Sequence, residues 1–147
     1  MSVEQTVKST TAEEIIAELQ MKEHPEGGYY VETFRDTEGP DGRGYSTAIY
    51  YLLKKGQKSH WHRVDAIETW HYYGGAPLRL LISTQEGEHS DITLGMNMKD
   101  GQRPQGIVPR HAWQSAQSLG DWTLVGCTVA PGFSFEGFEL APPGWNP

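Results

Sequence analysis

Cysteine is almost absent: Cys127 stands alone among 147 residues, so no disulfide can form within the chain. Its setting in the apolar run Thr123-Leu-Val-Gly-Cys-Thr-Val129 marks it as a small buried side chain rather than a reactive thiol. No apolar stretch approaches the length of a membrane span, and Met1 to Thr11 lack the apolar centre of an export signal, so a cytoplasmic protein with no membrane partner is expected. Positive charge is scarce too. Lys and Arg total 12 against 19 Asp and Glu, for a net charge of −7, and no basic run exceeds two residues. Such a surface repels a phosphate backbone, which argues against a nucleic-acid partner. Internal repeats and linker-like shifts of composition are also missing, so the chain reads as one domain, 1–147, with a polar, frayed start at 1–9. A chain of this length buries roughly two thirds of its unfolded surface, enough for a core without staples.

Turn-forming residues are plentiful. The 17 Gly and 9 Pro are scattered and punctuate short apolar runs, as in a sheet protein with many turns. Thr11 followed by Ala12-Glu13-Glu14 has the form of a capping box, and Ile15, Ile16 and Leu19 share one helical face, which predicts a helix of about ten residues on the outside. Pro25, Gly27 and Gly28 then admit a tight turn before an aromatic and β-branched strand over Tyr29–Arg35. Further strands are expected over 46–53, 77–83, 91–98, 122–129 and 133–140, with an exposed, mobile loop at 37–44 and 105–108 leading into the segment that follows. Eight to ten short antiparallel strands must close or double up to hide their edges.

Between these lies the stretch of greatest chemical interest, Ser59-His-Trp-His-Arg-Val-Asp-Ala-Ile-Glu-Thr-Trp-His-Tyr-Tyr-Gly-Gly75. On a regular strand alternate side chains share a face, so His60 and His62 would point the same way, with Trp61 and Arg63 opposite. Residues two apart on a strand lie roughly 7 Å apart, and two imidazoles can close that gap onto one metal ion at about 2.0 Å. Glu68, Trp70 and Tyr72 share a face of the next strand, with His71 opposite. The competing reading leaves His60 and His62 as strand histidines bonded to neighbours, and the residues alone do not choose.

The spacing Gly56-x3-His60-x-His62-x5-Glu68-x5-Gly74 resembles the first signature motif of the cupin superfamily. Three further stretches, His24 to Arg35, Ser46 to Leu53 and Gly126 to Leu140, resemble the cupin-related family of unknown function DUF985, or Cupin_5. The likeness runs from Thr11 to Pro142. It implies an all-β double-stranded β-helix, the cupin jelly-roll barrel, with one N-terminal flanking helix, and it points to a homodimer. It also places a second motif near Pro109-Arg-His-Ala-Trp-Gln114, where the superfamily supplies another histidine. Here Gln114 stands at that histidine's place and His111 at a glycine's, so a site of three His and one Glu is not intact.

The expected pocket gathers His60, His62, Glu68, Trp70, Tyr72 and Gln114 around a small-molecule ligand. In one reading a divalent metal, Zn, Fe, Mn or Ni, is held by His60, His62 and Glu68, with Gln114 as a further ligand. In a second, no metal binds, and His62 with Glu68 or Tyr72 moves a proton next to a carbonyl, as in the sugar-nucleotide epimerases of the same superfold. The cationic cluster that a diphosphate requires is not evident, since Arg63 and Arg79 are expected on outward faces. In a third the barrel only binds a ligand or forms a structural dimer, because fold does not decide function. Phe133, Phe135 and Phe138 are expected to be packing residues, not a ligand cage.

Overall fold

A computed structural model describes residues 10–147, so the expectation for 1–9 lies outside the described residues. Helix α1 spans Ala12–Leu19, two residues shorter than expected, and the Thr11 hydroxyl accepts the Glu14 amide at 3.1 Å, as the capping pattern requires. Its apolar face, Ile15, Ile16 and Leu19, packs with Met21 and Leu52 on the outside of a sheet. Eleven strands follow: β1 (Lys22–Glu23), β2 (Tyr29–Arg35), β3 (Thr47–Lys54), β4 (Lys58–Val64), β5 (Ile67–Gly75), β6 (Leu78–Ser83), β7 (His89–Leu94), β8 (Gln105–Val108), β9 (Trp113–Ser118), β10 (Trp122–Ala130) and β11 (Phe138–Leu140).

They form two facing antiparallel sheets, ordered β1-β2-β3-β10-β5-β8 and β11-β4-β9-β6-β7. Crossing from one sheet to the other between sequential strands is what makes a jelly roll out of short alternating segments. The core between the sheets includes Tyr51, Leu53, Trp70, Leu80, Leu94 and Val125. Cys127 is buried there, as its apolar run predicts. Among the described residues, no helix is long and apolar enough to cross a membrane.

The strand expectation for 133–140 fails in its first half. After Pro131 and Gly132 the chain runs through a turn of 3-10 helix, Phe135–Gly137, and only Phe138–Leu140 pairs, against β4. Two arginines replace the ladder there. Arg43 donates to the Gly132 carbonyl at 2.5 Å and pairs with Asp65, while Arg35 donates to the Phe133 carbonyl at 3.0 Å. Arg43 also gives the loop at 37–44 a polar anchor where no apolar one exists. Strand β7 ends at Leu94, earlier than expected, because the chain turns over Met96–Gly101 into another turn of 3-10 helix.

Candidate functional site

The decisive local feature is a bulge in β4. Ser59 pairs with Ala116 and His62 with Gln114, so three steps along β4 match two along β9. The extra residue resets the alternation. Ser59, His62 and Val64 are all buried, whereas His60 is exposed, and the expectation that His60 and His62 share an inward face is overturned. The backbone amide of His60 explains where the bulge is fixed: it donates at 2.7 Å to the carbonyl of Glu26, in the turn between β1 and β2.

That turn supplies two site residues that sequence reasoning missed. Gly27 adopts φ +109°, and a Cβ there would collide with the Lys58 carbonyl, so glycine lets the turn lie directly on β4. The Tyr51 hydroxyl, on β3 of the same sheet as β1 and β2, donates to the Gly27 carbonyl and locks the turn. His24 and Glu26 are thereby carried inside, to 8% and 7% exposure. The signal was present in His24-x-Glu26-Gly-Gly, two polar side chains at alternate positions before a glycine pair, but its meaning depends on a contact more than thirty residues away in the chain.

Glu26 accepts from three side chains at once: the Ser59 hydroxyl, His62 Nε2 at 3.0 Å and His24 Nε2 at 3.2 Å. His24 Nδ1 accepts the Glu26 amide at 3.1 Å, which leaves Nε2 as its protonated nitrogen. Burial and the nearby His62 hold His24 below the usual histidine range despite Glu26, so it is neutral at pH 7. His62 is the opposite case. Its Nδ1 donates to the His60 carbonyl at 2.7 Å and its Nε2 to Glu26, so both nitrogens carry protons. Burial opposes that charge, but Glu26, Glu68 and the His60 carbonyl outweigh it and raise the imidazole to about 9. Burial also works against the Glu26 carboxylate. The charge and hydrogen bonds of its donors win, and its pKa falls below the ordinary value.

Glu68 on β5 behaves differently. It accepts one N–H, from Gln114 Nε2 at 2.8 Å, and otherwise contacts the weak thiol donor of Cys127. Burial pushes it up, the His62 cation pulls it back, the Glu26 anion adds to the rise, and the carboxyl settles at about 7. Gln114 is oriented by Trp70, whose indole N–H can only donate and does so to Gln114 Oε1 at 2.8 Å.

These groups line the floor of a cavity of about 60 Å³ inside the barrel, walled by Ile49, Val64, Val129, Tyr30, Phe133 and Phe138, with Glu32, Arg35 and Phe135 at the mouth. Phe133 and Phe138 therefore pack on Val64 and Val129, as expected, and also face the cavity. Of the residues expected in the pocket, His62 and Glu68 meet there, and Trp70 and Gln114 support Glu68 from behind. Tyr72 does not join them. It lies further along β5, where its hydroxyl donates to the Gly75 carbonyl at 2.5 Å. His71 faces outward and bonds Thr128 Oγ1 at 3.0 Å, as alternation predicts. His111 sits in an exposed left-handed turn at φ 65°, away from the floor. Arg63 and Arg79 point outward, paired with Glu139 and Asp91.

The ligand set expected for a divalent metal does not fit this geometry. His60 is outside, the two ring nitrogens of His62 are aimed at the His60 carbonyl and Glu26, and Gln114 uses its carbonyl for Trp70 and its amide for Glu68. Among the described residues no group of three or more His, Cys, Asp or Glu is arranged to hold a metal ion.

Facing sheets closed around an internal polar pocket define a jelly-roll barrel of the cupin type. The family model described as Cupin superfamily (DUF985) matches residues 13–141, and the chain belongs to that family. A crystallographically solved protein of Shewanella oneidensis is 36% identical, with 90% of this chain and 85% of that one covered at a TM-score of 0.86. A hypothetical protein from Leishmania major is 31% identical, covering 90% of this chain and 88% of the other at a TM-score of 0.83. An uncharacterized protein of Saccharomyces cerevisiae is 24% identical over 86% of this chain and 73% of its own length. Bacillus subtilis oxalate decarboxylase shares the fold at a TM-score of 0.62 and 16% identity, and this chain spans 29% of its length.

Proposed function

We propose that the barrel binds a small organic molecule and exchanges a proton with it through Glu68, without a metal. The observation that carries this reading is the Glu68 carboxyl: buried, facing a cavity and held at about 7, it is present as both acid and base at neutral pH. Proton transfer by a side chain is most effective when its pKa lies near the working pH, and groups so displaced in pockets are candidates for that role. His62 takes a different part from the base expected of it. With both nitrogens protonated and both N–H groups engaged, it is a fixed cation beside Glu68 that favours the Glu68 carboxylate through its charge and not through a bond to the ligand. Glu26 and His24 keep that cation in place.

Oxalate decarboxylase of the same fold has Mn(II) centres, but the side chains that would have to hold an ion here are engaged with one another. A sugar nucleotide is also disfavoured. The cations at the cavity, His62 and Arg35, are each paired with a carboxylate, so none is free for a diphosphate.

The test is solvent deuterium wash-in, followed by NMR, into small carbonyl compounds such as hydroxyacetone. Exchange should follow ionisation of a group near pH 7 and fall at least about a hundredfold in Glu68→Gln, in line with the usual contribution of one acid-base group. Wash-in that survives the substitution, or none above the buffer rate, contradicts the assignment.

A further inference from the structure

We propose that the cavity selects small organic cations, an ammonium group carried on a compact apolar body, over anions. The proposal rests on the reading of the cavity as a small-molecule pocket and goes beyond it by fixing the charge of the ligand.

Two independent features of the lining point this way. The first is the balance of charge. Three carboxylates, Glu26, Glu32 and Glu68, line the cavity with two cations, His62 and Arg35. His62 at the floor is fully occupied, and Arg35 at the exposed mouth is committed to Glu32. Arg35 holds both oxygens of Glu32 through Nε at 3.0 Å and Nη2 at 2.8 Å, and its Nη1 lies 3.0 Å from the Phe133 carbonyl. His62 divides its two N–H groups between Glu26 and the His60 carbonyl. An anion at the floor would have to break the buried His62–Glu26 pair, which is costly. The carboxylate in surplus is Glu68, whose contacts are one amide N–H and a thiol. An ammonium group at the floor gives it a cation in direct contact, which His62, bonded to Glu26 and the His60 carbonyl, does not.

The second feature is the aromatic wall. Phe133, Phe135 and Phe138 meet one another with centroids 4.9 to 5.8 Å apart in steeply inclined pairs. Core packing accounts for Phe133 and Phe138, which sit on Val64, Ala66 and Val129. It does not account for Phe135, which is 57% exposed and still lines the cavity. Aromatic π faces attract organic cations, and a ring cluster above a carboxylate is a general arrangement for holding an alkylammonium group. A cation also favours the ionised form of Glu68, so binding should tighten as pH rises through 7.

NMR titration of the full chain with tetramethylammonium, uncharged tert-butanol and acetate, at pH 6 and pH 8, tests this. Tetramethylammonium should shift cavity-lining resonances and bind about tenfold more tightly than tert-butanol at pH 8, a ratio within the range of a desolvated cation–π and ion-pair contact. The advantage should shrink at pH 6 and vanish in Glu68→Gln. Phe135→Ala, an exposed change that leaves folding intact, should weaken tetramethylammonium several-fold and tert-butanol less. Equal binding of the two probes, stronger binding of acetate, or an undiminished tetramethylammonium advantage in Glu68→Gln overturns the charge assignment while the small-molecule reading stands. Absence of cavity shifts with all three probes overturns both.

Discussion

Glu26 and Glu68 are the same residue type, equally buried, and they face each other across one cavity floor, yet their carboxyls shift in opposite directions. Glu26, on the turn between β1 and β2, has three side-chain donors, one of them a cation. Glu68, on β5, has an amide and a thiol. Burial is therefore not what distinguishes a permanently charged group from one that exchanges protons. The number and charge of the donors decides it, and the turn side of the cavity is structural electrostatics while the β5 side is left free for chemistry.

The largest test of this contrast removes the fixed half. Glu26→Ala leaves the His62 cation without its partner in a dry place and should cost about 3 to 5 kcal/mol in urea unfolding at pH 6. A loss below about 1 kcal/mol would mean that the two halves do not differ as described.

Next in size is the free half. Glu68 has a folded-state pKa near 7, above its unfolded value, so its contribution to stability is complete only below the unfolded carboxylate range and is lost as pH rises through 7. Glu68→Gln removes that loss. It should raise stability at pH 8 by on the order of 1 to 3 kcal/mol, at about 1.4 kcal/mol per pKa unit, with a smaller gain at pH 5. His62 acts in the same sense at higher pH: its stabilising charge is present below its unfolded pKa and is lost as pH climbs through about 9. Glu26 acts in the opposite sense, losing its contribution as pH falls through its lowered value. His24, held below the usual histidine range, works in the sense of Glu26, its contribution growing as pH rises to that range. The native chain should therefore be most stable between about pH 5 and 7 and weaken toward pH 9. An optimum at or above pH 8 would count against both shifts.

Trp70→Phe should have an intermediate effect. It strands Gln114 Oε1, for about 1 to 2 kcal/mol, and frees the amide to turn its oxygen toward Glu68, which should raise the Glu68 midpoint further. An unchanged midpoint would show that Trp70 does not orient the amide. The smallest effects belong to histidines outside the cavity. His60→Ala should change stability by less than about 0.5 kcal/mol, as exposed substitutions do, and His71→Ala by no more than about 1 kcal/mol for its hydrogen bond to Thr128. His62→Ala, measured beside them, should resemble Glu26→Ala.

Local pattern made much of the fold legible. The strand at Tyr29–Arg35 falls where its residue types and flanking turns put it, those expected over 46–53 and 122–129 come out within a residue, and Thr11 caps α1. The aromatic spacing of Phe133, Phe135 and Phe138 looked like a strand face, but Arg35 and Arg43 hold that segment in a non-strand path from a distance. The same limit governs the site. Glu68 and Gln114 were visible as a carboxylate and an amide at motif positions. The bulge that turns His60 out and the turn that brings His24 and Glu26 in are made by one long-range contact, His60 N–H to the Glu26 carbonyl, which no alternation in β4 announces.

The most direct measurement is a pH titration by NMR of the His62 imidazole nitrogens and the Glu68 side-chain carboxyl in the isotopically labelled chain. The expected result is a Glu68 midpoint close to 7 while His62 stays doubly protonated until about pH 9. A Glu68 midpoint in the ordinary carboxylate range, or a His62 that loses a proton below pH 7, would contradict the division of the floor into a fixed ion pair and a proton-exchanging carboxyl.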